Sequence, residues 1–168
     1  MRYADASIDT FMKRASREPW FANTIFVFTG DHGKIIGKPD GLTPTSQNHI
    51  PIFFYGKGIE AKKDSSLMTQ IDIMPTILGM LGIECPNYSG LGTNQMDMAK
   101  DTAIYTVNNY FIARTADDAY YLDIETNTGT IFEINKDYTL AYPVSGNRPE
   151  FDQLIKKHIQ ALYSYWKY

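Results

Sequence analysis

Apolar residues recur along this chain with two different periods, and the change of period divides it. In residues 3–18, Ala4, Ile8, Phe11, Met12 and Ala15 fall at i, i+4, i+7, i+8 and i+11, the spacing of one face of an α-helix. Pro19 ends that helix, because the residue before a proline is pushed out of helical geometry. Ile25-Phe26-Val27-Phe28 is then an unbroken β-branched and aromatic run between Asn23 and Gly30. It predicts a strand covered on both faces, typical of a parallel or mixed sheet flanked by helices. Residues 50–56, IPIFFYG, form a second such run, with Pro51 where a strand tolerates proline. The Gly- and Pro-rich polar segment 33–48 between them is a long connection of the kind that is functional or mobile in a compact domain. After a charged turn over 57–66, Asp72 is placed to cap a short helix with Pro75 in its first turn and Gly82 near its end. Ile73, Ile77, Leu78 and Leu81 give that helix one apolar face.

From residue 102 the period becomes two. TAIYTV, NYFIART, AYYLDIE and GTIFEIN are short strand-like runs, separated by turn signals at Asn108-Asn109, Asp117-Asp118 and Asn127-Thr128-Gly129. They predict an antiparallel meander. Phe151, Leu154, Ile155, His158, Ile159, Leu162 and Trp166 then form a helical stripe beginning just after Pro149. The predicted order is α-β-β-α followed by β-β-β-β-α.

Composition narrows the functional classes. At 168 residues the chain can bury roughly two-thirds of its unfolded surface as one domain. Its 12 Tyr, 9 Phe and 2 Trp exclude a disordered chain. A net charge of -3 argues against a nucleic-acid partner or an anionic membrane surface, which call for clustered Lys and Arg. The single cysteine, Cys85, excludes an internal disulfide and a CxxC metal knuckle, and reads as structural because it has no visible activating partner. No apolar run approaches the ~18 residues of a membrane span, and MRYADASID lacks the apolar stretch of a signal peptide.

The strongest local chemistry is Thr29-Gly30-Asp31-His32-Gly33, directly after the first predicted strand. In open α/β sheets ligands gather beyond the carboxyl ends of strands. An anionic oxygen beside an imidazole nitrogen suits a divalent metal, and flanking glycines let both side chains converge. Taken alone, the same residues are also ordinary turn formers. His49, just before IPIFFYG, is open between a third metal ligand, a group that contacts an anionic substrate or protonates a leaving group, and a loop histidine held by backbone. His158 lies on the apolar stripe of the last helix and reads as a core-edge residue. Lys34, Lys38, Lys57, Lys62 and Lys63 read as a solvated surface, and no Ser or Thr occupies a nucleophile motif such as GxSxG.

PWFANTIFVFTGDHG, NHIPIFFYGKG and QIDIMPTILGMLGI, in that order and spacing, resemble the C-terminal half of the sulfatase-type domain of the alkaline phosphatase superfamily. The group they resemble most is that of lipoteichoic acid synthases and phosphoglycerol transferases, and YADASIDTFMKRASREPWF fits the helix that precedes the metal-bearing strand there. The resemblance covers residues 1 to about 95. It implies an α/β fold: part of an alkaline-phosphatase-like mixed sheet flanked by helices over residues 1–101, then a small antiparallel sheet with a C-terminal helix over residues 102–168.

By the same resemblance Asp31 and His32 are ligands of the catalytic metal, Mn or Mg in the transferases and Ca in true sulfatases, with Zn also compatible. His49 becomes an active-site residue, its role open between substrate contact and second-metal ligand. The DIMPT segment is carried over as structural. The family's nucleophile, a threonine or a cysteine-derived formylglycine, lies in the N-terminal half, and no residue here stands in its context. The chain is therefore expected to be the C-terminal part of a larger extracytoplasmic, membrane-anchored enzyme acting on a phosphate or sulfate ester. Alone it is expected to be inactive and to oligomerise through surfaces left uncovered. The alternative is a non-catalytic interaction or assembly module that keeps this half of the fold.

Overall fold

The computed structural model describes residues 2–33, 48–84, 90–135, 140–144 and 148–165. The connection 34–47, with Lys34 and Lys38, lies outside the described residues, as do Cys85 and Trp166. The described residues fall into two compact units, one holding residues 2–33 and 48–63, the other the residues from 64 onward.

The first unit opens with helix α1, Arg2–Ala15. Asp5 in its first turn and Lys13 and Arg14 in its last complement the helix dipole. Asp9 and Lys13 pair across one turn at 2.8 Å, an exposed contact worth about 0.3–0.5 kcal/mol. The helix stops at Ala15 rather than running to residue 18, because Arg17 and Glu18 already donate to carbonyls only three residues back as the chain approaches Pro19. A 3-10 turn, Phe21–Asn23, leads into β1, Phe26–Thr29, which pairs antiparallel with β2, Ile52–Tyr55.

Cross-strand partners share a face, so Phe26, Phe28, Phe53 and Tyr55 line one side of this pair. The rings of Phe11, Trp20 and Phe21 stand 6.0, 6.2 and 5.2 Å from that of Phe26 and bury it. Coverage stops there. Phe53 remains 61% exposed, and on the amphipathic face of α1 only Ala15 is buried while Phe11 is 48% exposed. The expectation of a strand covered on both faces is not met among the described residues. One helix and two strands cannot enclose that much apolar surface, and an isolated two-stranded pair is only marginally stable.

In the second unit a 3-10 turn, Gln70–Asp72, runs directly into helix α2, Ile73–Met80. Asp72 is fully buried and its carboxylate is saturated. Oδ2 accepts the backbone N–H of Thr69 at 2.9 Å and its hydroxyl at 2.7 Å, closing a capping box. Oδ1 accepts the N–H of Thr93 at 2.8 Å and the Lys100 ammonium at 2.5 Å. Thr76 extends the network, donating to the Asp72 carbonyl at 2.7 Å and accepting the Gln95 N–H at 3.2 Å. The fully buried residues of α2 are therefore Pro75 and Thr76, while of the apolar face that periodicity suggests Ile73, Ile77 and Leu78 are half-buried and Leu81 is exposed. Gly82, at φ +66°, ends the helix as a Schellman motif: its N–H donates to the Gly79 carbonyl and that of Ile83 to Leu78. Gly92 passes so close to Ile71 that a Cβ there would lie within 1.9 Å of the Ile71 carbonyl oxygen.

The sheet of this unit is an antiparallel meander of five strands in sequence order: β3 Ala103–Val107, β4 Tyr110–Arg114, β5 Asp118–Asp123, β6 Gly129–Ile134 and β7 Leu140–Val144. The three predicted turns are present. Asn108 (φ 51°) and Asn127 (φ 54°) take the positive φ that tight turns demand, and the Asp123 carboxylate accepts the N–H groups of Glu125 and Thr126. β7 is an addition to the four predicted strands. Pro143 within it hides the signal, yet β7 is the edge strand, where proline is tolerated, and its register with β6 slips between Phe132 and Ile134. Helix α3, Pro149–Tyr165, begins with proline at its first position, and Phe151 and Ile155 bury against Ala113, Tyr120, Leu122 and Ile131.

Burial pushes the Asp72 carboxyl up, but Lys100, Thr93 and Thr69 together hold it below its usual value. A carboxyl so depressed stabilises the fold fully above its unfolded value of about 4, and that contribution disappears as pH falls through the folded value. Asp72→Asn leaves the Lys100 ammonium without its counter-charge and should cost about 3 kcal/mol at pH 7. Urea unfolding followed by far-ultraviolet circular dichroism should show that loss, and a smaller drop in stability between pH 5 and 3 than in the unsubstituted protein. Equal stability at pH 7 would refute the role given to this network. Gly92→Ala should destabilise by on the order of 3 kcal/mol in the same assay, since backbone must move to admit the methyl group.

Candidate metal centre

Antiparallel pairing sets the carboxyl end of β1 beside the amino end of β2. Thr29 is partnered with Ile52, so Gly30-Asp31-His32 leaves the sheet next to the segment His49-Ile50-Pro51 that enters it. Gly30 makes this approach close, as a Cβ on it would stand 3.6 Å from Ile50 Cγ2. The loop after one strand and the residue before another, distant in sequence, thus lie at one end of the pair.

Asp31 and His32 are both accessible, with side chains 88% and 63% exposed. The His32 backbone N–H donates to Asp31 Oδ1 at 2.9 Å. That bond, the backbone N–H of Asp31 itself and the neighbouring imidazole hold the Asp31 carboxyl below its usual range, so it is an anion at neutral pH. His32 Nδ1 lies 2.9 Å from the Gly33 carbonyl oxygen. A carbonyl only accepts, so this contact puts a proton on Nδ1, and in the neutral ring the lone pair is then on Nε2. Nε2 and Asp31 Oδ2 are 3.7 Å apart. Metal–ligand bonds here are about 2.1 Å long, so both atoms can reach one ion. A carboxylate oxygen and an imidazole nitrogen fixed by a backbone acceptor form a donor pair that fits Mn or Zn and serves Mg or Ca through its oxygen.

The pair is not a complete coordination shell. Among the described residues no group of three or more His, Cys, Asp or Glu side chains is gathered closely enough to hold an ion, so His49, though exposed at the same end of the strand pair, is not brought into one cluster with Asp31 and His32. His158 lies half-buried on α3, where burial and then the charge of Lys100 lower its pKa, as suits a core-edge residue. Lys57, Lys62 and Lys63 are exposed. Sequence reasoning missed the Gly33 carbonyl that orients His32, because a backbone acceptor leaves no signature in residue type.

Residues 1–83 match the Sulfatase family model. That stretch, just under half of the chain, is thus a sulfatase-type domain by its similarity to the family. More particularly, it is 23% identical to lipoteichoic acid synthase 1 of Bacillus subtilis over 148 residues, 81% of this chain and 23% of that protein. It is 26% identical over 127 residues to the lipoteichoic acid synthase of Staphylococcus saprophyticus, 67% of this chain and 19% of the relative. The chain thus spans about a quarter or less of these relatives' length. A solved protein of the alkaline phosphatase superfamily from Vibrio parahaemolyticus superposes with a TM-score of 0.81 at 23% identity, over 98% of this chain and 40% of its own. A putative sulfatase from Bacteroides thetaiotaomicron does so with a TM-score of 0.59 at 21% identity, over 96% and 40%. The chain shares the mixed α/β fold of these solved proteins.

The tautomer of His32 is directly measurable. Long-range 1H–15N correlation spectra of the metal-free protein, taken where the ring is neutral, should show His32 Nδ1 protonated and Nε2 bare. The opposite tautomer as the main form would remove the donor atom from this centre.

Proposed function

We propose that this chain contributes part of the active site of an extracytoplasmic, metal-dependent enzyme that transfers a phosphoglycerol-type group or cleaves a phosphoric or sulfuric ester. The observation that carries the reading is the accessible Asp31–His32 pair, its Oδ2 and Nε2 3.7 Å apart, inside the stretch that matches the sulfatase family. Asp31 and His32 hold a divalent cation, Mn or Mg in the first place, with Ca or Zn also compatible with these donors. When bound, such an ion stabilises negative charge developing on a hydroxyl nucleophile and on the ester oxyanion. His49, at the same end of the strand pair, contacts the anionic group of the substrate. The nucleophile and the remaining donors come from polypeptide outside this sequence, and no catalytic residue is assigned within it. The complete enzyme is membrane-anchored, and this chain alone has negligible turnover.

A second reading, a non-catalytic assembly module, is favoured by the open apolar face around Phe11 and Phe53, a surface that promotes self-association. Metal binding separates the two. Two exposed donors, short of a full coordination shell, should bind Mn only weakly, measured by calorimetry. Asp31→Ala and His32→Ala should each weaken it about tenfold or more. Hydrolysis of p-nitrophenyl phosphate or sulfate should stay at the metal-only blank. Mn binding that is absent, or indifferent to Asp31→Ala, would favour the assembly module. Turnover above the blank that is lost on Asp31→Ala would show the site complete and overturn the need for outside groups.

A further inference from the structure

We draw no further inference here: the strongest candidate, the apolar surface left open by helix α1 and the β1–β2 pair around Ile8, Phe11, Trp20, Phe53 and Tyr55, is an unpartnered face and nothing in the structure shows what covers it.

Discussion

The four cross-strand partners from Phe26–Tyr55 to Thr29–Ile52 are the contact on which the candidate site depends. They decide which ends of two distant segments meet. Because the pairing is antiparallel, the turn that carries Asp31 and His32 leaves the sheet where the segment carrying His49 enters it. The alternative, parallel pairing, would have put His49 at the far end of β1. A one-residue slip would have moved Phe53 and Tyr55 to the opposite face, away from Phe26 and the rings of α1 and Trp20 that cover it. Register, face and site position are therefore one constraint, anchored by the aromatic cluster around Phe26.

The two units hold themselves together differently. The first rests on aromatic contacts at one end of a short strand pair and leaves much of its apolar surface open. The second buries a polar hub: Asp72 ties the start of α2 to Thr93 and Lys100, and it does so with every oxygen occupied. Burying a carboxylate is costly unless it is paired and hydrogen-bonded, and here both conditions are met. The close passage of Gly92 over Ile71 belongs to the same arrangement, since only a residue without a side chain lets the Thr93 N–H reach Asp72. The DIMPT segment thus has a physical role in its own right, as the anchor of a loop from 90 to 100 onto a helix.

Much of this was legible in residue order. The helical stripe of α3, the three hairpin turns and the Asp-His turn after β1 all follow from period and turn chemistry, because those signals are local. What escaped depends on partners far along the chain. Asp72 reads as the cap of α2, yet its side chain caps no N–H of that helix and closes a box back onto Thr69 instead, and nothing near it announces Lys100. Thr76 looks like a filler in an apolar helix, yet it is buried and links Asp72 to Gln95. β7 was hidden by Pro143, whose penalty vanishes on an edge strand. The apolar face of α1 is legible and correct in its spacing, but spacing says only that a helix has an apolar side, not that the described residues supply its cover. At the site, residue type pointed to Asp31 and His32, while the atoms available for coordination depend on a backbone carbonyl that no sequence pattern encodes.

The central claim is that Asp31, His32 and the approach to β2 form one cation-binding end of the strand pair. Paramagnetic relaxation in 1H–15N spectra of the intact chain, titrated with Mn, tests it most directly, because line broadening falls steeply with distance from the ion even when binding is weak. The account predicts that amides of Gly30 to Gly33 and of His49 and Ile50 broaden first and together, and that Asp31→Ala shifts the broadening at both segments to much higher Mn concentration. Broadening centred on another acidic surface, or confined to residues 30–33 while His49 and Ile50 stay sharp, would contradict it.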